Sequence, residues 1–284
     1  MTEPRPPRVT AIRDLLDRYE GVLLDVYGVL LDASGPLPGA RELLVELDRR
    51  GQPYAIVTND ASRSAETYAR RFAGHGIAVA PERVVTAGSL LPPRLAQLPG
   101  ARACVLGTAD SLAYARAGGA EIVPLARGME IDALCVCDDD GFDFLPSIEL
   151  ALSAVVRAVD DGRRPALILP NPDLVYPKGG GELGFTAGAI ALVIEAALAR
   201  RFPGERLVFE RLGKPEPHLM LHAARRLAIA PDRLVMIGDQ LETDVAGAHA
   251  AGIAAALLAG VSRWEHVRGT TAIAPAWLLD TLAP

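Results

Sequence analysis

Val22-Leu23-Leu24-Asp25-Val26-Tyr27-Gly28-Val29-Leu30 is the stretch whose reading decides the fold. An apolar run that enters a lone carboxylate and then a glycine reads as a buried parallel strand ending in an acid at its carboxyl edge. Open α/β sheets bind their ligands at that edge. The pattern returns at Leu234-Val235-Met236-Ile237, which runs into Gly238-Asp239, with Asp244 five residues further on. Between the two lie Ile56-Val57-Thr58-Asn59 and Gly213-Lys214-Pro215. In chain order, these strand ends and loops supply a carboxylate, a hydroxyl, an ammonium and a carboxylate pair.

Around these motifs, strands and helices alternate. Val9, Ile12, Leu15, Leu16 and Tyr19 fall at helical spacing, so residues 9–19 are expected to form an amphipathic helix over one edge of the core. Residues 32–39 are dense in turn formers, and a helix to about Arg50, a strand at 54–57 and a helix at 62–75 follow. The pattern then restarts, with strands expected at 102–107, 132–137 and 165–169 and helices near 110, 147 and 187. Gly179-Gly180-Gly181 reads as a flexible loop ahead of a helix from Phe185 to Arg201. Leu207-Val208-Phe209 resumes the core, followed by helices at 217–227 and 242–251 and a strand at 254–258. The expected fold is α/β: a Rossmann-like, doubly wound parallel-sheet core at 1–80 and 206–284, with a second α/β domain inserted at 81–205.

At 284 residues and 50% hydrophobic content, the chain is long enough for two domains with separate cores. No run of eighteen apolar residues occurs, and Met1 to Arg8 lacks the apolar core of a signal peptide, so a cytoplasmic protein with a frayed start and no membrane partner is expected. A net charge of −6 argues against a nucleic-acid partner, because phosphate backbones need clustered Lys and Arg. The Arg pairs at 49/50, 70/71, 163/164, 200/201 and 225/226 read as solvated helix ends, where cations suit the helix dipole. Cys135 and Cys137 share one face of an apolar strand and read as buried core thiols. His218 and His222 lie four apart on a helix and read as surface or interface residues.

The ordered set Asp25, Thr58, Lys214, Asp239 with Asp244 resembles the haloacid dehalogenase superfamily of phosphotransferases, whose four motifs are a nucleophilic Asp, a Ser/Thr, a Lys and an acidic pair. Leu169-Pro170-Asn171-Pro172-Asp173 ahead of Gly188 extends the resemblance to subclass IIA, which carries a large α/β cap between the second and third motifs. That subclass includes nucleotide, sugar-phosphate and pyridoxal-phosphate phosphatases. The resemblance implies a Mg²⁺-dependent phosphohydrolase acting on a small phosphorylated metabolite, with residues 32–39 gating the site. It also implies that the Tyr27 carbonyl joins Asp25, Asp239 and Asp244 around the metal. Exposed cap helices make a homodimer a further expectation.

The chemistry of the residues agrees with these roles. A carboxylate can attack phosphorus and carry the phosphoryl group as an acyl phosphate, which divides one displacement into two. Asp25 is that candidate, and the rival reading, a turn or capping aspartate, loses weight beside three further motifs. Thr58 and the amides of Asn59 and Asp60 are candidates to bind phosphate oxygens, with Lys214 balancing their charge. Asn171 and Asp173 are candidates to touch substrate, although both residue types also favour turns. Tyr27 departs from the family pattern, in which the phosphatases have Asp two residues after the nucleophile to protonate the leaving group. Haloacid dehalogenases have Tyr there, so a 2-haloacid dehalogenase is an alternative. A non-catalytic phosphate-ligand binding protein is another.

Overall fold

The computed structural model describes residues 7–32, 34–179, 182–260, 262, 264–267 and 272–284. The start of the chain through residue 6, expected to fray, and Gly180-Gly181 lie outside the described residues. The chain divides into two compact units: residues 1–58, 65–85 and 214–284 form the first, and residues 59–64 and 86–213 the second.

The first unit is built on a seven-stranded sheet with the order Arg8–Val9, Trp277–Leu279, Ala254–Leu258, Leu234–Gly238, Gly21–Leu24, Tyr54–Thr58 and Val84–Thr86. The strands from Arg8–Val9 through Tyr54–Thr58 pair in parallel. Because side chains alternate along a strand, Val22, Leu24, Tyr54, Ile56, Val235 and Ile237 share one face. That face packs on Ile12, Leu15 and Leu16 of the helix Ile12–Arg18, on Leu43, Leu44 and Leu47 of Ala40–Arg50, and on Tyr68 and Phe72 of Ala65–Gly74. Leu23, Ala55, Val57 and Met236 are buried on the opposite face, and the helix His218–Leu227, with Leu219, Met220, Ala223 and Ala224 buried, contacts the strands Gly21–Leu24 and Tyr54–Thr58. This is the doubly wound parallel sheet that the sequence predicts.

The second unit has a parallel five-stranded sheet with the order Glu210–Arg211, Ala166–Leu169, Ala133–Val136, Arg102–Leu106 and Glu121–Ile122. A two-stranded antiparallel pair, Val175–Gly179 with Glu182–Phe185, stands apart from it. The helices Phe144–Asp160 and Ala187–Arg201 bury Ile148, Val155, Ile190 and Ile194 in this unit's core. Cys104, Cys135 and Cys137 are free and buried, and burial pushes the Cys135 thiol up to about 12.

Several expectations need correcting. Arg8–Val9 is an edge strand, so the first helix starts at Ile12. Phe185 closes a strand and the long helix begins at Ala187, while Gly179 belongs to the Val175–Gly179 strand instead of a loop. The second unit takes in residues 59–64 and 86–213, beside the expected insertion at 81–205. Val84–Thr86 still joins the first sheet, and Leu207 and Phe209 pack in the second unit's core, just before Glu210–Arg211 pairs with its sheet. An apolar triplet shows that a core is nearby but not which one. Phe209→Ala should therefore lower stability by about 3 kcal/mol or more, as a large core truncation does. Urea unfolding followed by far-UV circular dichroism is expected to show this as a fall in midpoint, and an unchanged midpoint would contradict the assignment.

Candidate active site

In the first unit, adjacent strand ends bring the acids together. Leu24 pairs with Ile56 on one side and with Ile237 on the other, so Asp25, Thr58 and Asp239 all leave the same carboxyl edge. The Asp25 N–H continues the ladder by donating to the Ile237 carbonyl at 3.0 Å. The turn beyond Asp239 differs from the expected helix at 242–251: Leu241–Val245 is a π-turn, in which the Val245 N–H reaches back to the Gln240 carbonyl, and Ala246–Ala250 is α-helical. Asp244 lies in this turn. Its Oδ2 accepts from the N–H groups of Asp239 and Gln240, at 3.1 Å each, which fixes the backbone that carries Asp239.

Lys214 joins the acids. Its Nζ donates to Asp25 Oδ1 and to Asp244 Oδ1 at 2.7 Å each, and all three side chains are buried. One carboxylate oxygen from each of Asp25, Asp239 and Asp244 lies within 4.8 Å of the others. Burial raises the Asp25 carboxyl to about 8, with Lys214 opposing the rise and Asp244 and Asp239 adding to it. Burial alone would lower the Lys214 ammonium, but Asp244 and Asp25 outweigh it and hold the lysine charged. Three carboxyl groups and one ammonium share this buried site. A hard divalent cation with oxygen ligands fits that donor set. The backbone of the motif supports this fit: Gly28 has φ +81°, and a Cβ there would lie 2.1 Å from Asp239 Oδ2, so the Tyr27–Gly28 segment rests directly on the carboxylate.

The Tyr27 side chain has a partner that the sequence did not reveal. Its hydroxyl accepts from an Arg71 guanidinium nitrogen at 2.5 Å, and the Arg71 Cζ lies 5.2 Å from the ring centroid. Arg71 is thus more than a solvated helix end, while its neighbour Arg70 turns to Thr67. The available signal was spacing, since Arg71 follows buried Tyr68 by three on one helix and so shares its face.

Thr58 is buried at the end of its strand in the first unit, whereas Asn59 and Asp60 belong to the second. There the Asp60 carboxylate accepts from the Ser62 N–H at 2.6 Å and hydroxyl at 2.7 Å, and pairs with Arg63 at 2.7 Å. Asn59 Nδ2 donates to Asp173 Oδ1 at 2.9 Å. Asn171 accepts the Asp173 N–H at 3.0 Å and donates to the Thr186 hydroxyl at 3.3 Å. The turn reading of Asn171 is therefore realised, and the candidate substrate residues of this unit bond to one another.

Residues 22–121 match the family model described as haloacid dehalogenase-like hydrolase, and residues 211–284 match the one described as HAD-hydrolase-like. Chronophin of Homo sapiens is 30% identical, over 97% of this chain and 95% of its own. This chain is a haloacid dehalogenase-like hydrolase. It falls in subclass IIA, as the sequence resemblance implied. The hydrolase is also 28% identical to glycerol-3-phosphate phosphatase of Gallus gallus, over 90% of this chain and 85% of that protein. The crystal structure of a possible sugar phosphatase from Cytophaga hutchinsonii superposes with a TM-score of 0.84 at 27% identity, covering 98% of this chain and 99% of that one.

Asp60 also acts on a neighbour in its own unit. Burial, then the Asp60 charge, raises the Asp138 carboxyl to about 7. A carboxyl held above its unfolded value stabilises the fold fully below about 3.8 and loses that contribution as pH rises through about 7. The urea midpoint should accordingly fall between pH 5 and pH 8, and Asp138→Asn should flatten the fall. Equal pH slopes in the two proteins would refute this assignment.

Proposed function

We propose that this phosphatase hydrolyses the phosphate monoester of a small metabolite in two steps through Asp25, with Mg²⁺ as cofactor. The observation that carries the reading is the buried Lys214 ammonium bridging Asp25 and Asp244, with Asp239 in the same cluster. Small phosphorylated substrates are suggested by relatives named glycerol-3-phosphate phosphatase and, in Staphylococcus aureus, acid sugar phosphatase.

In the first step an Asp25 carboxylate oxygen forms a bond to phosphorus as the ester P–O bond breaks, and the departing oxygen takes up a proton from solvent. In the second, water attacks the same phosphorus and gives up a proton to solvent, the bond from phosphorus to the Asp25 oxygen breaks, phosphate departs and the Asp25 carboxylate is regenerated. Lys214 holds Asp25 in place and offsets the charge that accumulates as anion meets anion. Asp244 orients both Lys214 and the Asp239 backbone, while Thr58 is assigned to hydrogen-bond phosphate oxygens. Asp25, Asp239 and the Tyr27 carbonyl would hold Mg²⁺, with Asp244 behind them, and the bound ion would withdraw charge from the phosphoryl oxygens.

Asp25→Asn should reduce turnover by roughly 10³-fold or more, because an amide cannot form the acyl phosphate. Excess chelator should stop the wild type, and Mg²⁺ should restore it. A panel of phosphate esters assayed beside 2-haloacids checks both points. Full activity in chelator, or turnover of the haloacids alone, would favour the dehalogenase reading, and binding without turnover the non-catalytic one.

Tyr27 stands where the family pattern has an aspartic acid, and a phenol is a far weaker acid than a carboxylic acid and so a poor proton donor for a departing alkoxide. Aryl phosphates, whose leaving groups need little protonation, should therefore be cleaved faster than alkyl phosphates. Tyr27→Asp should accelerate the alkyl esters by roughly ten-fold and the aryl esters less. Steady-state rates on matched aryl and alkyl esters decide the matter: equal wild-type rates with no gain in the variant would mean that another group supplies the proton.

A further inference from the structure

The main chain around the nucleophile is closely bonded, with one exception. The Val26 carbonyl accepts from the Leu30 and Leu31 N–H groups at 2.9 and 2.8 Å, and the Gly28 N–H donates to the Leu31 carbonyl at 2.9 Å. Between them, the Tyr27 carbonyl accepts no hydrogen bond from any described residue. Two contacts hold the peptide that carries it. On one side Gly28 is wedged against the Asp239 carboxylate, where a Cβ would lie 2.1 Å from Oδ2. On the other, the Tyr27 ring packs on the first unit's core, and Arg71 Nη1 donates to the Tyr27 hydroxyl at 2.5 Å with its Cζ 5.2 Å from the ring centroid. Arg71 sits on the helix Ala65–Gly74, which fully buried Tyr68 and Phe72 anchor to the same core. Among the described residues no carboxylate comes within ion-pair distance of Arg71, so its guanidinium is directed at the phenol and not at an acid.

A side chain held at both its ring and its hydroxyl restrains the Cα from which it grows, and the carbonyl at that Cα has little freedom left once Gly28 is wedged in place. We propose that Arg71 is a positioning residue for the metal site: through the Tyr27 hydroxyl it holds the Tyr27 carbonyl in place as a ligand for the divalent cation. The inference rests on the metal site proposed above. Groups that orient a ligand change metal affinity although they never touch the metal. The sign of the effect separates this role from plain electrostatics. A guanidinium repels a cation at any distance, so an Arg71 acting by charge alone would weaken metal binding and its removal would tighten it. Positioning predicts the reverse.

Equilibrium titration of the metal-free full chain with Mn²⁺, a paramagnetic ion that shares the oxygen-ligand preference of Mg²⁺, tests it, with free Mn²⁺ read by electron paramagnetic resonance. Tyr27→Phe, which removes only the hydroxyl, should raise Kd by roughly five-fold or more. Arg71→Met, which keeps an unbranched side chain but loses the donors and the charge, should raise it by a similar factor. The two changes together should raise Kd no further than either alone, because both remove one contact. Arg70→Met is the control: it removes the same charge one residue away, from a side chain that bonds to Thr67, and should leave Kd within about two-fold of the wild type. A contact that only stabilises the fold would lower the urea midpoint of the metal-free variants and leave Kd unchanged. An unchanged Kd in Tyr27→Phe, a tighter Kd in Arg71→Met, or an equal rise in Arg70→Met overturns the inference while leaving the metal site intact. If the wild type takes up no Mn²⁺ at all, the metal site fails, and the inference fails with it.

Discussion

The two short contacts from the Lys214 ammonium to Asp25 and Asp244 are the interaction on which the rest of the structure depends. Removing an ammonium and several carboxylates from water costs several kcal/mol per ion, and mutual attraction recovers that only when geometry and further hydrogen bonds are good. The site meets this condition by sharing donors. Asp244 spends one oxygen on Lys214 and the other on two backbone N–H groups, so the charge of one residue fixes both a side chain and a turn. The backbone that Asp244 fixes leads directly into the π-turn at Leu241–Val245.

Backbone proximity is the second consequence. Gly28, Gly238 and Gly260 all lie where a methyl group would strike an acid: Asp239 for the first and third, Asp244 for the second, at 2.1 to 2.7 Å. The carboxylates are therefore confined by main chain, and main chain carried by adjacent parallel strands cannot drift as a flexible side chain does. That confinement sustains like charges at close range. It also accounts for the carboxyl-edge position, since only there do neighbouring strands release their chains into turns side by side.

Much of this was legible from residue order. Asp25, Thr58 and Asp239 each end an apolar run, and such a run in a parallel sheet has only one edge at which ligands gather. What the sequence withheld were partnerships over long separations. Asn59 and Asp173 are 114 residues apart, and Tyr27 and Arg71 are 44 apart. The first pair has no local signature and the second only the spacing of Arg71 from Tyr68, because Asn and Asp favour turns on their own account and an arginine late in a helix is ordinarily solvated. The second unit's end was missed for a related reason. Leu207 and Phe209 satisfy any core, and only the pairing of Glu210–Arg211 with Ala166–Leu169 shows which one they join.

Charge balance connects these observations. The chain is acidic overall, with a net charge of −6, and its buried site gathers three carboxyl groups. A phosphate ester approaching such a protein meets repulsion at long range and, in the proposed mechanism, again at Asp25. Lys214 cannot remove it alone, because its ammonium is already shared between Asp25 and Asp244. Burial displaces the Asp25 carboxyl upward, and a cation drawn from solution would oppose that displacement. A protonated carboxyl is a poor nucleophile, so that opposition bears on reactivity as well as on energy. In the proposed mechanism a bound cation would favour an ionised Asp25 beside a phosphoryl group, and its charge would serve the nucleophile's ionisation as much as the substrate's approach.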